Sequence, residues 1–535
     1  MKPQPDARLE RVLATLALVV IALISFANVL VRYVTDASFA FTEEISVFLL
    51  VVVTFAGAAV ALRRNGHIRI GLVERALPPG PRRVLIALQG LAGLVVLGLI
   101  TGYGAQMAWQ EYHWQSLSPG LGVPVAFALG LAGAVGIVTG LSPDMLAALG
   151  TNTYNSIAKY PLIAIPLFIL TGLIFERAGV AARLVRFAQA LIGPRHGGLA
   201  LVAVLVCLIM GGMSGSGPAD AAAVAMVMLP SMTRAGYPRP FSATLIAASA
   251  STAILIPPSV ALILYSIVVP GVDLRALFAA GLFPGILAGV ALLLPAFWLS
   301  RRHGWEAPSE VERPALGESF RQAIPALFAP VLILGGLRSG LFTPTEAAVA
   351  AVAYGVAVGL FLTRELDWRE LWRLVGEAAT ISGVVMLIIA LAGIFAWAGT
   401  MLGTFRHLAE WLITLSDNGA VLLTLIMIAV LLAGMLLDAI SIYLILMPIL
   451  IPVMQHFGWN PVWFGILLAM NIAIGQYTPP VAVNLMVTTE VAGIRLEQTV
   501  GWALVFVAVM AIALLLVALF PPIALWLPGV LGYNV

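Results

Sequence analysis

A polypeptide segment inside a lipid bilayer must satisfy its own backbone N–H and C=O groups, so an apolar chain is built there from α-helices. Residues 211–258, GGMSGSGPADAAAVAMVMLPSMTRAGYPRPFSATLIAASASTAILIPP, lie among long apolar runs and interrupt that helix twice. Pro removes a backbone donor and Gly weakens helix, so residues 211–218 and 256–258 are predicted to be non-helical at membrane depth. Irregular backbone at that depth survives only where protein buries it or where it lines a wet cavity.

The same grammar returns in residues 434–480, GMLLDAISIYLILMPILIPVMQHFGWNPVWFGILLAMNIAIGQYTPP. In each copy a break with an Asp (Asp220, Asp438) leads into a short helix containing an apolar residue and Pro (Leu229 and Pro230, Met447 and Pro448). A Gly-aromatic-Pro turn follows (Gly236, Tyr237, Pro238; Gly458, Trp459, Asn460, Pro461), then a long helix broken at Pro-Pro. Paired Gly/Pro-interrupted apolar segments point to the substrate and ion site of a secondary transporter. The general enrichment of Gly and Pro in membrane helices does not account for four features recurring in one order.

Composition agrees with a polytopic all-α membrane protein. Hydrophobic residues make up 61%, charged residues 10%, and the mean hydropathy is +1.04, against about 45–50% apolar and about 25% charged in soluble domains. The net charge of +3 is small, and its basic residues cluster in loops, where they report orientation rather than a nucleic-acid partner. Cys207 is the only cysteine, which excludes an internal disulfide and a thiolate metal site. The first span is expected to serve as the insertion signal, with no cleavable leader before it.

The chain opens with a basic tail (Lys2, Arg8, Arg11), cytoplasmic by the charge rule, and a span over 12–34. Asp36, Glu43 and Glu44 precede a second span to residue 62; Arg63, Arg64, His67, Arg69, Arg82 and Arg83 then form a cytoplasmic loop before a third span, 84–104. Trp109, Tyr112, His113 and Trp114 read as an interfacial belt, with an aromatic ligand cage as the alternative. Apolar segments at 123–141 and 161–175 lead to an amphipathic helix with Arg177, Arg183, Arg186 and Arg195, expected at the cytoplasmic interface.

A hairpin over 198–232 returns to Arg234 and Arg239 on the same side; a broken helix over 241–269 crosses outward, and 276–300 crosses back. Residues 301–321 are a linker. The second half carries spans at 323–337, 346–362 and 380–398, a hairpin at 420–454 and a broken helix at 462–488. The turn closing its hairpin, QHFGWNP, lacks Lys and Arg, unlike its counterpart. The charge rule therefore predicts inverted-topology repeats, each with one re-entrant hairpin and one broken helix. Counting spans from the N-terminus, however, puts the Arg-rich helix outside. An odd number of spans is missing near Leu121, or residues 105–141 do not cross as drawn.

The tandem of GGMSGSGPADAAA, ASASTAILIPPSVALILY and TPPVAVNLM resembles the large permease subunit of tripartite ATP-independent periplasmic transporters, over about residues 121–535. The segment FANVLVRYVTDASFAFTEEISVFLLVVVTFAGAAVALRRNGHIRIGLVE resembles the small membrane subunit of that family. Their order implies a fused small-plus-large permease: residues 1–120 as small-subunit-like scaffold, 121–300 and 322–535 as the permease repeats. Against the family pattern, three helices are absent before GVPVAFALG, matching the parity defect. The resemblance implies a multi-pass protein of the bacterial inner membrane that works as an elevator. It would import an organic anion, such as a dicarboxylate, sugar acid or sialic acid, delivered by a separate periplasmic substrate-binding protein. Residues 323–362 would then belong to the fixed scaffold.

The breaks offer backbone carbonyl, hydroxyl, amide and carboxylate oxygens without a His or Cys cluster, a donor set suited to sodium as coupling ion rather than to zinc or iron. No other cofactor is expected. Candidate sodium ligands are Ser214, Gly215, Ser216, Asp220, Ser251, Thr252 and Pro257 in the first repeat, with Asp438, Ser441, Asn471, Thr478 and Pro479 in the second. Ser216, Pro258 and Asn484 are the candidates for the substrate, where half-helix N-termini aim positive dipole ends at an anion. A carboxylate at the centre of a membrane helix costs roughly 2.5–3.5 kcal/mol on insertion scales, so Asp220 and Asp438 call for a nearby cation or donor. The alternative is that each caps a half-helix.

Four rival readings stand. A sodium-coupled carboxylate carrier without a binding protein is disfavoured by the small-subunit segment. A non-transporting module would follow from the absent helices, whereas a channel would show a polar stripe or charge ring through the spans. A membrane enzyme has least support, because the spans carry no Ser/His/Asp, His-metal or nucleotide motif.

Overall fold

The structure is a computed structural model that describes residues 8–35, 41–63, 125–193, 195–305 and 314–533. The third span at 84–104, the aromatic segment with Trp109, Tyr112, His113 and Trp114, and the junction at Leu121 lie outside the described residues. So do residues 306–313 of the linker. Among the described residues every regular element is helical, and nine helices are long and apolar enough to cross a bilayer.

The chain divides into two compact units. The first comprises Met1–Pro166, Val375–Leu422 and Ile440–Phe457. In it the helices Arg8–Thr35 and Phe41–Arg63 pack together through Leu18, Ile21, Leu50, Val53 and Val60, all buried. The segment from Val375 of the helix Trp368–Met401 supplies a close-packed spine. There Gly57 and Gly383 cross so tightly that a Cβ on Gly383 would overlap the backbone of Gly57, the small-residue contact that lets membrane helices approach closely. Gly133 and Ser156 meet the same spine at Ile394 and Gly393.

The second unit comprises Leu167–Leu374, Leu423–Ala439 and Gly458–Val535. It holds the first hairpin, Gly198–Ser214 with Gly217–Arg234, and the first broken helix, Arg239–Ala250 with Val260–Val268. It also holds the second broken helix, Pro461–Gly475 with Val483–Ala492. The second hairpin is Gly419–Gly434 with Ala439–His456, and its residues 423–439, including the tip, fall in this unit. Leu316–Arg338 and Pro344–Ala357 belong to the same unit.

An aromatic cluster fixes the turn between hairpin and broken helix. Phe241 lies 4.8 Å from Trp305, 5.3 Å from Trp502 and 6.0 Å from Tyr237, centroid to centroid, and such tilted and stacked pairs add to the burial of large rings. The first unit contains two helices that the apolar runs do not announce, Ala148–Ile157 and Thr404–Thr414. Both are short and carry polar residues on one face. The linker is also shorter than its composition suggests, since Leu274–Arg302 continues to Arg302 and the next helix starts at Leu316.

Candidate functional site

At the tip of the first hairpin the chain reverses in two residues, Gly215 and Ser216, so the non-helical stretch is shorter than the predicted 211–218: Gly211–Ser214 complete one helix and Gly217 and Pro218 open the next. Gly215 sits in the left-handed region, φ 60°, and its N–H donates to the Gly211 carbonyl at 3.2 Å. A side chain there would be strained, and its Cβ would run into the carbonyl of Pro258. Ser216 is extended, and Pro218 opens the returning helix, where its missing N–H removes no intrahelical bond.

Ser214 fastens the turn: its Oγ donates to Asp220 Oδ1 at 2.7 Å and accepts the Ser216 N–H at 3.2 Å. Asp220 is only 1% exposed. The N-cap position of this helix is Ser216, and Asp220 stands in the first turn beyond it. Its carboxylate therefore does not cap; it takes one hydroxyl proton, and Oδ2 has no hydrogen-bond partner among the described residues.

The first break lies against this tip. After Ala250 a short 3-10 turn, Ser251–Ile254, tightens the helix; Ser251 Oγ and Thr252 Oγ1 donate to the Ala248 and Ser249 carbonyls at 2.7 and 2.6 Å. Their hydroxyl protons are thus committed locally. Residues 255–259 are non-helical through Pro257 and the cis-linked Pro258, and Ser259 caps the outgoing half-helix by accepting the Leu262 N–H at 3.3 Å.

The second break reaches the other side of the hairpin tip. A Cβ on Gly217 would lie 2.9 Å from both Asn484 Nδ2 and Gln476 Oε1, so these amides close on the start of the Asp220 helix. Asn484 Nδ2 donates to the Ala247 carbonyl at 3.3 Å, and its N–H donates to the Gln476 carbonyl at 3.0 Å. Gln476 Oε1 and Asn484 Oδ1 are buried with no hydrogen-bond donor among the described residues. Three buried acceptor oxygens, with Asp220 Oδ2, thus lie in one hairpin-and-break assembly without donors. Desolvating them is costly unless something positive compensates.

The remaining candidates separate. Asn471 is tied into the second hairpin, donating to the Met427 carbonyl at 2.5 Å, and Thr478 Oγ1 donates to Ile474 O at 2.6 Å. Pro479 is half-buried in the turn that follows. Asp438 immediately precedes the helix Ala439–His456, in the N-cap position. Ser441 is buried but belongs to the first compact unit. Gln476 is the site residue that the sequence reading missed; its one available signal is an amide directly before Tyr-Thr-Pro-Pro inside an otherwise apolar run.

Ser216, Pro258 and Asn484 stand at the starts of three half-helices, Gly217–Arg234, Val260–Val268 and Val483–Ala492. Contacts of Gly215 with Pro258 and Ser259, and of Gly217 with Asn484, gather those N-termini at one hairpin tip. Helix starts carry partial positive charge and unpaired N–H groups. The same hairpin and breaks also present carbonyl-bearing helix ends, at Ser214, Ala250 and Gly475. Among the described residues there is no group of three or more His, Cys, Asp or Glu side chains suited to a transition metal.

Two hairpins and two broken helices, with the first hairpin's tip set against both breaks, define a multi-pass membrane protein of an inverted-repeat transporter fold. The same fold appears in the YdaH transporter of Alcanivorax borkumensis, at a TM-score of 0.56 and 14% identity over 82% of this chain and 99% of that one. A family model of the DctM component of tripartite ATP-independent periplasmic transporters matches residues 119–523, and one of the DctQ component matches residues 21–150. The chain belongs to the tripartite ATP-independent periplasmic (TRAP) transporter family and is a multi-pass protein of the inner membrane.

It is 35% identical over 415 residues to the isethionate TRAP transporter permease DctMQ of Oleidesulfovibrio alaskensis, covering 76% of this chain and 64% of that relative. It thus spans just under two thirds of the relative's length. The C4-dicarboxylate TRAP transporter large permease DctM of Pseudomonas aeruginosa is 37% identical over 407 residues, 76% of this chain and 95% of that one.

Proposed function

We propose that this chain is the permease of a sodium-driven importer that takes a small organic anion from a separate periplasmic substrate-binding protein. The carrying observation is the set of buried oxygens without donors, Asp220 Oδ2, Gln476 Oε1 and Asn484 Oδ1. An oxygen-only set with one carboxylate, next to helix carbonyl ends, suits a compact monovalent cation. Carbonyls at the first break and the hydroxyls of Ser251 and Thr252 complete its surroundings; Asp438 is the corresponding carboxylate of the second repeat.

The anion belongs at the gathered helix N-termini, where Ser216, Pro258 and Asn484 stand. The two relatives are named for isethionate and for C4-dicarboxylates, a sulfonate and carboxylates, so small size and an oxyanion head are the shared chemistry. The family's tripartite composition and the match to its DctQ component support delivery by a binding protein. Transport proceeds as an elevator in which the hairpins and broken helices move. Each net positive charge carried inward yields roughly 2.3 kcal/mol per 100 mV, about fiftyfold accumulation, so a few sodium ions drive uptake without nucleotide hydrolysis.

Uptake of labelled isethionate and succinate into proteoliposomes, with and without a cognate binding protein, tests this. Uptake should require inward sodium and the binding protein together. Equal rates with potassium or choline in place of sodium would remove the coupling. Full rates without the binding protein would make the chain a self-sufficient carrier.

A further inference from the structure

Outside this site, one cluster of charged side chains stands out in the second unit. The amphipathic helix Val180–Ile192 carries Arg183 and Arg186, and Leu316–Arg338 carries Arg321 and Gln322. With Leu362, Thr363 and Glu365 they line a cleft of about 640 Å³, inside the roughly 300–1,000 Å³ range of small-molecule sites. Arg183 is committed, donating to Glu365 Oε1 at 2.5 Å and to the Ala178 carbonyl at 2.6 Å. Arg186 reaches only the Gln322 amide oxygen, at 3.5 Å, while Gln322 itself donates to Glu318 at 3.0 Å. Among the described residues neither Arg186 nor Arg321 has a carboxylate partner. Three guanidinium groups and one carboxylate in the lining leave a surplus of positive charge.

Residues adjoining the cleft's lining form an apolar track. On the helix that carries Arg321, Phe320, Ile324, Phe328 and Val331 recur at helical spacing and are exposed, and Phe361 and Leu362 are exposed beside Thr363. A soluble anion would need the guanidinium groups but not the track. A molecule with an anionic head and apolar tails needs both, and basic pockets between membrane helices are suited to such heads. We propose that this cleft is a binding site for an anionic phospholipid, with the phosphate held by Arg186 and Arg321 and the acyl chains along Phe320, Ile324, Phe328 and Val331.

Native mass spectrometry of the purified full-length chain, titrated with phosphatidylglycerol, phosphatidylethanolamine or glycerol phosphate, tests it. Phosphatidylglycerol should bind at lower concentration than phosphatidylethanolamine. The double variant Arg186→Gln, Arg321→Gln should lose about thirtyfold in affinity, since each basic side chain near a headgroup contributes roughly fivefold. Arg321→Gln alone, at an exposed position that leaves the core untouched, should lose about fivefold and unfold at the wild-type temperature. Arg234→Gln, at the end of the helix Gly217–Arg234 and outside the cleft, should bind as wild type. Equal phosphatidylglycerol binding by wild type and the Arg321→Gln variant would overturn the site. Displacement of the lipid by equimolar glycerol phosphate would overturn the lipid assignment and leave a soluble-anion site.

Discussion

Replacing Asp220 by Asn keeps the shape of the side chain and removes its charge, so it isolates what the carboxylate does. In the structure one oxygen accepts the Ser214 hydroxyl at 2.7 Å and the other has no hydrogen-bond partner among the described residues. A cation held about 4 Å away gains roughly 4 kcal/mol at an effective permittivity of about 20. A neutral carbonyl retains about half of what a charged oxygen gives. The net loss is about 2 kcal/mol, or roughly thirtyfold in sodium affinity. The assay is thermal unfolding of the purified protein across a sodium titration in potassium buffer. At sodium about 100 times the wild-type Kd, ligand stabilisation should fall from about 2.7 to about 0.9 kcal/mol in the variant. Without sodium the order reverses: the variant should be at least as stable as wild type, because it no longer buries a carboxylate with a single donor. Equal sodium stabilisation of both proteins would refute the reasoning, as would a variant less stable than wild type in sodium-free buffer, since Asp220 would then be a structural hydrogen-bond centre.

Asp438→Ala should cost about 1 kcal/mol through loss of an N-cap and weaken sodium stimulation of uptake, while Asp438→Asn should keep the stability and lose only the stimulation; equal unfolding temperatures for the two would exclude the capping role. Gly475→Ala should cost about 1–3 kcal/mol by overpacking, because its Cβ would lie 2.5 Å from the Gly434 carbonyl carbon; Gly501→Ala, with open space around it, is the matched control and should unfold at or above the wild-type temperature. In a Cys207→Ala background, Ser116→Cys should react with an impermeant maleimide in intact cells and Arg195→Cys, at an exposed position, should be protected; labelling of both would invert the permease half relative to the charge rule.

The hairpins and breaks were legible because their cause is local. A Gly-Ser-Gly-Pro run or a Pro-Pro pair cannot continue a helix wherever it lies, and the observed boundaries, such as Gly198–Ser214 and Val483–Ala492, follow those residues closely. The role of Gln476 was not legible, because it depends on Gly217 of the other repeat bringing a helix start against the amide. Nothing within the GQYTPP run distinguishes that partner from ordinary turn chemistry. Thr404–Thr414 escaped for a different reason: Arg406 and Glu410 pair across one turn at 3.6 Å on an exposed face, and a hydropathy reading takes such charges for a loop.

The two repeats also show why recurrence of a motif does not imply recurrence of its chemistry. Ser214, Gly215, Ser216 and Gly217 give the first hairpin four small residues before Asp220, enough to turn the chain and still place the carboxylate inside the returning helix. The second hairpin turns through four residues, Met435, Leu436, Leu437 and Asp438, before its returning helix starts at Ala439, so the longer turn ends on the carboxylate and leaves it at the helix boundary. A carboxylate at the boundary can be compensated by its own helix dipole and N–H groups. One buried beyond the cap, with a single hydroxyl donor, requires compensation from elsewhere. The first repeat therefore carries the stronger demand for a cation, and sodium binding should depend more steeply on Asp220 than on Asp438.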